Sequence, residues 1–147
     1  LILSGRKIND QMGVYIAKKI IYEFSNLKRI SINILGITFK EDCTDLRNSK
    51  VFDLISFFKS KNCIVNIYDP IVKNLELIKK YDIKLKKLDK IKKANVTILA
   101  VPHQKFLKFK IHKFEGMVKK NGIFFDIKGI LKKSKISKNN FIKYMSL

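Results

Sequence analysis

Three cations and one aromatic ring stand where they could grip an anion. Phe39, Lys40 and Arg47 lie in the run Gly36-Ile37-Thr38-Phe39-Lys40-Glu41-Asp42-Cys43-Thr44-Asp45-Leu46-Arg47-Asn48-Ser49-Lys50. Lys128 lies far along the chain, in Phe125-Asp126-Ile127-Lys128-Gly129. The first run follows the apolar stretch Ile30–Leu35, which reads as a buried strand, and precedes Val51–Phe58, which reads as a helix. A glycine ending a buried strand, then cations, then a helix start is where an open α/β sheet takes an anionic ligand. Lys40 and Lys128 are expected to converge on one crevice from two strands. Two lysines and one arginine there suit a diphosphate.

The elements that must position these residues follow from hydrophobic period. Leu1 to Phe24 has apolar residues at Ile8, Met12, Tyr15, Ile16, Ile20 and Ile21, the stripe of a long amphipathic helix. Ile30–Gly36 alternates and then saturates, as a central strand does. Asn48 or Ser49 can cap the next helix, which runs to about Lys61. Ile64–Tyr68 is a second strand, ended by Asp69-Pro70. Ile71–Tyr81 reads as a helix, and Leu88–Ala94 as another short one. Val96–Val101 is a third strand, ended by Pro102. Phe106–Lys120 is mixed with helical stretches, and Ile123–Ile127 is a last strand. The tail from Lys132 to Leu147 reads as loose or partly extended.

Strands alternating with helices at this spacing give an α/β fold with a doubly wound, mostly parallel sheet. The expected organisation is the end of a long helix over 1–27 and one domain over 28–147. At 147 residues and 46% hydrophobic content, a single domain with a real core fits. A helix exposing its apolar stripe would be a sticky surface.

A net charge of +20 raises nucleic acid as a partner. Only Arg6, Arg29 and Arg47 among the 32 basic residues are arginine; the rest are lysine, in a chain also rich in Ile, Asn and Phe. That balance follows from AT-rich codons, and base readout favours arginine. Nucleic acid is therefore an unlikely partner, and a basic nucleic-acid-binding α/β module is kept as the alternative. Cys43 and Cys63 lack metal-site spacing, and His103 and His112 do not share a helical face. No apolar run reaches the ~18 residues of a membrane span. A cytoplasmic protein without a metal or membrane partner is expected. The missing initiator Met suggests a piece of something longer.

Four segments in order carry a resemblance: Gly5–Gly13, the Gly36–Lys50 run, Tyr68-Asp69-Pro70 and Phe125–Leu131. Together they resemble the C-terminal third of the UDP-glucose/GDP-mannose dehydrogenase family. The nearest branch is the bacterial UDP-N-acetylhexosamine dehydrogenases of surface-polysaccharide synthesis. The resemblance implies a Rossmann-like UDP-binding domain preceded by the end of a central dimerisation helix. It implies an NAD-dependent enzyme that oxidises the C6 alcohol of a UDP-hexose or UDP-N-acetylhexosamine to a carboxylate, as a homodimer. Phe39, Lys40 and Lys128 match substrate-binding positions, Lys128 replacing an arginine found in some relatives. Arg47 matches a cofactor-binding arginine that approaches NAD; its competing role is a surface ion pair with Asp45 or Asp42. Asn9 and Asp10 are read as bracing the helix. Asp69 is read as an Asx-type turn, with a ribose contact as the second possibility, and His103 as a loop residue rather than a ligand.

The departures from the family are as informative. No GxGxxG is present, and neither cysteine has the Gly-Gly-x-Cys context of the family's nucleophile. No catalytic residue is therefore expected in this chain, and alone it should not catalyse the dehydrogenation. It reads as part of a full enzyme, or as the non-functional remnant of a decayed gene.

Overall fold

The structure, a computed structural model, describes residues 2–73, 75–131 and 141–147, with side chains from residue 11 onward except at 76. Five strands form one all-parallel sheet: β1 (Ser31–Leu35), β2 (Ile64–Tyr68), β3 (Ala94–Leu99), β4 (Val118–Asp126) and β5 (Lys143–Ser146). Their order across the sheet is β2-β1-β3-β4-β5. The strand order reverses between β1 and β3, so the chain leaves these two strands in opposite directions and opens a crevice at their carboxyl ends.

Helices α1 (Ile2–Glu23), α2 (Val51–Ser60), α3 (Leu75–Lys80), α4 (Gln104–Leu107) and α5 (Ile111–Glu115) complete the described elements, with a 3-10 turn at Leu88–Lys90. The strands are buried on both faces, so successive residues serve two cores. Ile32, Ile34, Val96, Ile98, Ile123 and Phe125 pack with Ile16, Ile20, Leu54 and Phe58 of α1 and α2. Leu35, Leu99 and Phe124 pack on the other face with Phe106, Phe114 and Met117. On that second face rings touch in series, from Tyr68 through Phe106, Phe109, Phe114 and Phe124 to Tyr144.

Three expectations are corrected. Leu88–Ala94 is not a helix: a single 3-10 turn ends at Lys90 and Ala94 already opens β3. Its amide pairs with Met117 O at 3.0 Å, so sheet pairing claims the residue. The helix expected over 71–81 starts at Leu75, because Asp69 draws the amides of Ile71 and Val72 into an Asx turn. The described end of the tail takes the extended alternative, as the edge strand β5 in register with β4 from Ile123↔Lys143 to Asp126↔Ser146. The stripe of α1 is largely covered where described: Ile16 and Ile20 are buried against this chain's own core, and Tyr15 faces solvent. The side chains of Ile8, Asn9 and Asp10, and residues 132–140 of the tail, lie outside the described residues. α1 meets α2 closely at Gly13, where a Cβ would stand in ordinary contact with Leu54 at 3.5 Å.

Candidate nucleotide-binding site

The crevice at the switch point is a cavity of about 790 Å³ at the carboxyl edge of the sheet. Thr38 and Phe39 line it from the loop after β1, Ala100 and Val101 from the end of β3, and Ile127 and Lys128 from the end of β4. Met12, Gly13 and Ile16 of α1 form a further wall, and Asn48–Val51 bring the start of α2 to it. A helix start presents unpaired N–H groups and the positive end of its dipole. The cavity is thus mostly apolar, with a cation and a helix N-terminus at its polar end.

The loop is shaped by hydrogen bonds inherited from the strands. Gly36 N–H donates to Tyr68 O at 2.9 Å, and Ile37 N–H donates to Asp69 Oδ2 at 2.8 Å. Phe39 N–H donates to Asp45 O at 2.8 Å, folding the loop back on itself. The Ser49 hydroxyl donates to Ile37 O at 2.7 Å, tying the start of α2 to the end of β1. Ser49 therefore spends its proton on the loop. Lys50 takes the cap position without a side-chain cap bond, while Ser49 Oγ accepts Val51 N–H at 3.4 Å, so of the two expected caps Ser49 reaches the first amide of α2.

Phe39 is 55% exposed and lines the cavity, and Lys128 lines it from the opposite side. The fold brings these two to the same cavity. Lys128 also meets Glu41 in an ion pair across the mouth. The Lys128 ammonium holds the Glu41 carboxyl below its usual range, with burial opposing. Lys40 is exposed on the rim beside Phe39 and is not among the lining residues, so its convergence with Lys128 inside the crevice is not seen. Arg47 lies on the outer side of the loop, in a two-pronged pair with Asp45 at 3.0 and 3.1 Å. Each group shifts the other, Asp45 down and Arg47 up, chiefly through that hydrogen bond.

Two residues given minor parts by the sequence are central. Asp69 closes the expected Asx turn, its Oδ1 accepting Ile71 and Val72 N–H at 2.9 and 3.0 Å. Its Oδ2 accepts from Ile37 N–H and lies 3.0 Å from His103 Nε2. Burial pushes its carboxyl up, but the His103 bond and the backbone amides more than offset this, and the net shift is downward. With both oxygens engaged inside the protein, Asp69 is not placed to hold a ribose. His103 lies in the loop before α4, as expected, and its side chain is fully buried and bonded to Asp69. The signal available was the Pro102-His103 step at a strand end, which periodicity cannot rank. Cys63 starts β2 at the amino edge of the sheet, away from the cavity, with its thiol pushed up by burial. Cys43 accepts Asp45 N–H within the loop at 3.4 Å. Among the described residues no group of three metal-ligating side chains is found, and no helix is long and apolar enough to cross a membrane.

A parallel sheet with a loop-built anion crevice at its switch point is the form of a nucleotide-binding domain. Residues 33–133 match the UDP binding domain of the UDP-glucose/GDP-mannose dehydrogenase family, and the chain belongs to that family. It is 36% identical over 141 residues to Protein CapL of Staphylococcus aureus, covering 93% of this chain and 33% of that protein. It is 33% identical over 135 residues to a UDP-N-acetyl-D-glucosamine 6-dehydrogenase of Salmonella typhi, covering 89% of this chain and 32% of that enzyme. The chain thus spans about a third of the length of these relatives. In fold it matches an NDP-N-acetyl-D-galactosaminuronic acid dehydrogenase structure from Methanosarcina mazei Go1, with TM-score 0.80 at 17% identity, covering 98% of this chain and 30% of that one.

Proposed function

We propose that this chain is the UDP-sugar-holding part of an NAD-dependent nucleotide-sugar 6-dehydrogenase. The observation that carries this is the cavity at the β1/β3 switch point, walled by Phe39 and Lys128 within the family's UDP binding domain. Phe39 offers a ring against the ligand, Lys128 an ammonium to its phosphates, and Lys40 a second ammonium from the rim. The relatives' names favour a UDP-N-acetylhexosamine oxidised at C6; that the product is the uronic acid, made in the cytoplasm for polysaccharide synthesis, is our proposal from the family resemblance. Residues 1–27 would be the end of a central helix through which the full enzyme forms a homodimer, and 28–147 the UDP-sugar domain.

The residues described here do not make an NAD site. The space beside Gly36 is filled by Val101, whose carbonyl lies 2.5 Å from where a Cβ would stand, and is not open to a pyrophosphate. The hydride acceptor is held elsewhere in the full enzyme, and Arg47 is the group of this chain proposed to reach it. No catalytic nucleophile is assigned to this chain, so alone it binds and does not oxidise.

Isothermal calorimetry with UDP tests this reading. Binding weakened about tenfold by Lys40→Ala or Lys128→Ala, a charge-assisted bond's worth, is expected. A chain that takes up neither UDP nor a UDP-sugar, or whose affinity ignores both substitutions, overturns it.

A further inference from the structure

His103 and Asp69 form a pair that no ligand can touch, since both side chains are 0% exposed. Their bonds run outward to the loop instead. Asp42 N–H donates to His103 Nδ1 at 2.9 Å. An amide nitrogen can only donate, so Nδ1 presents its lone pair and the ring proton sits on Nε2. There Asp69 Oδ2 accepts it at 3.0 Å, with Thr38 Oγ1 also close at 3.3 Å. This tautomer is assigned from the hydrogen-bond network. Asp42 answers from its side chain, with Oδ1 accepting Gln104 N–H at 2.9 Å. The Thr38 hydroxyl donates to Lys40 O at 2.8 Å, closing the turn locally.

The bonds therefore fall on Thr38 and Asp42, which bracket Phe39, Lys40 and Glu41. Asp42 has φ +56°, a left-handed turn conformation that aspartate adopts more readily than most residues, and it aims the Asp42 amide at the imidazole. The imidazole is itself held, lying 6.0 Å from the Phe106 ring at an interplanar angle of 26°. Phe106 is fully buried in the second core, so the pin is anchored in the sheet's far face.

We infer that His103 is a positioning residue, whose Nε2–H tautomer sets the ligand-binding shape of the 38–42 loop through the Asp42 amide. The inference rests on the reading of the cavity as a UDP site. It assigns binding geometry to one bond, from His103 Nδ1 to Asp42, and stability to the other, from Nε2 to Asp69.

Two substitutions separate these bonds. In His103→Asn the amide oxygen falls near the position of Nδ1 and can accept from Asp42, while Asp69 loses its partner. In His103→Gln the longer amide reaches Asp69, while the Asp42 N–H loses its acceptor. UDP affinity and thermal midpoint are measured on the 147-residue chain. Of the two variants His103→Gln is expected to melt higher, close to the parent, but to bind about tenfold more weakly. His103→Asn is expected to melt lower but bind within about threefold of the parent. Affinities that follow the midpoints instead, or that do not change, overturn the inference. Amide hydrogen exchange on the parent chain needs no variant and no ligand. A slowly exchanging Asp42 amide is expected, and one exchanging like an open loop amide overturns the inference. A parent that protects Asp42 yet ignores UDP sinks the UDP reading and leaves the pin standing.

Discussion

A Cβ placed on Gly36 would lie 2.5 Å from the carbonyl oxygen of Val101 and 2.7 Å from its Cβ. Gly36 also has φ +86°, so a side chain is opposed twice, by its own backbone and by the end of β3. Gly36→Ala should cost about 2–5 kcal/mol and displace the loop that carries Phe39. Urea denaturation reads the cost; an unchanged midpoint would mean that the ends of β1 and β3 separate without penalty.

Asp69 should set part of the acid limit of stability. Its native carboxyl is held below the ordinary value of 3.8, so it binds its proton less readily folded than unfolded. The stabilisation is complete above about pH 4 and fades as pH falls from there toward the lowered native value. Asp69→Asn removes one of two engaged acceptor oxygens and should cost about 2–4 kcal/mol at pH 7. Its midpoint should also vary less below pH 4 than the parent's. Parallel urea curves for the two proteins across that range would contradict this account.

Glu41 competes for Lys128 at the mouth of the cavity. Glu41→Gln should tighten UDP binding about twofold to fivefold, because a phosphate no longer displaces a carboxylate. Added salt should shrink the difference by screening. Calorimetry at two salt concentrations measures both, and weaker binding by the variant would instead place Glu41 against the ligand.

The Arg47–Asp45 pair stands in solvent, with the guanidinium side chain 80% exposed. Arg47→Ala should therefore leave both the urea midpoint and UDP affinity unchanged, since exposed pairs contribute little to folding. If Arg47 serves NAD, its loss should appear only in the full enzyme, as weaker NAD binding. A large fall in UDP affinity in the isolated chain would move Arg47 into the UDP site.

Tyr144 ties the edge strand to the sheet. Its hydroxyl lies 2.7 Å from Asp126 Oδ2, which also accepts Leu131 N–H, while Asp126 Oδ1 is buried without a partner among the described residues. Tyr144→Phe should cost about 1–2 kcal/mol and speed amide exchange along 143–146. Burial and the Asp126 carboxylate raise the phenol, so its contribution is whole below about pH 10 and lost as pH rises through the native value. Unaltered exchange in β5 would show that ladder bonds alone hold it.

The sequence by itself determined the layered fold and the location of the ligand edge. Val96–Leu99 is apolar but for Thr97, and Ile30–Leu35 alternates isoleucine with Ser31 and Asn33 before saturating, so both strands were legible without coordinates. β2 was legible end to end, because Asp69-Pro70 stops it. The run from Gly36 to Lys50 placed the cations beside a strand end, and with it the family. Tertiary structure decided what depends on partners distant in the chain. Lys143–Ser146 becomes a strand because β4 offers it an open edge, which no local pattern records. Asp69 and His103 are 34 residues apart, and only the meeting of the β2 and β3 ends makes them one buried pair. The ranking of the cations was decided the same way: Lys128 enters the cavity, Lys40 stays on its rim and Arg47 turns outward. A lysine's chemistry is written in its type, whereas its direction is set by the backbone amides and carboxylates that fold the loop beneath it.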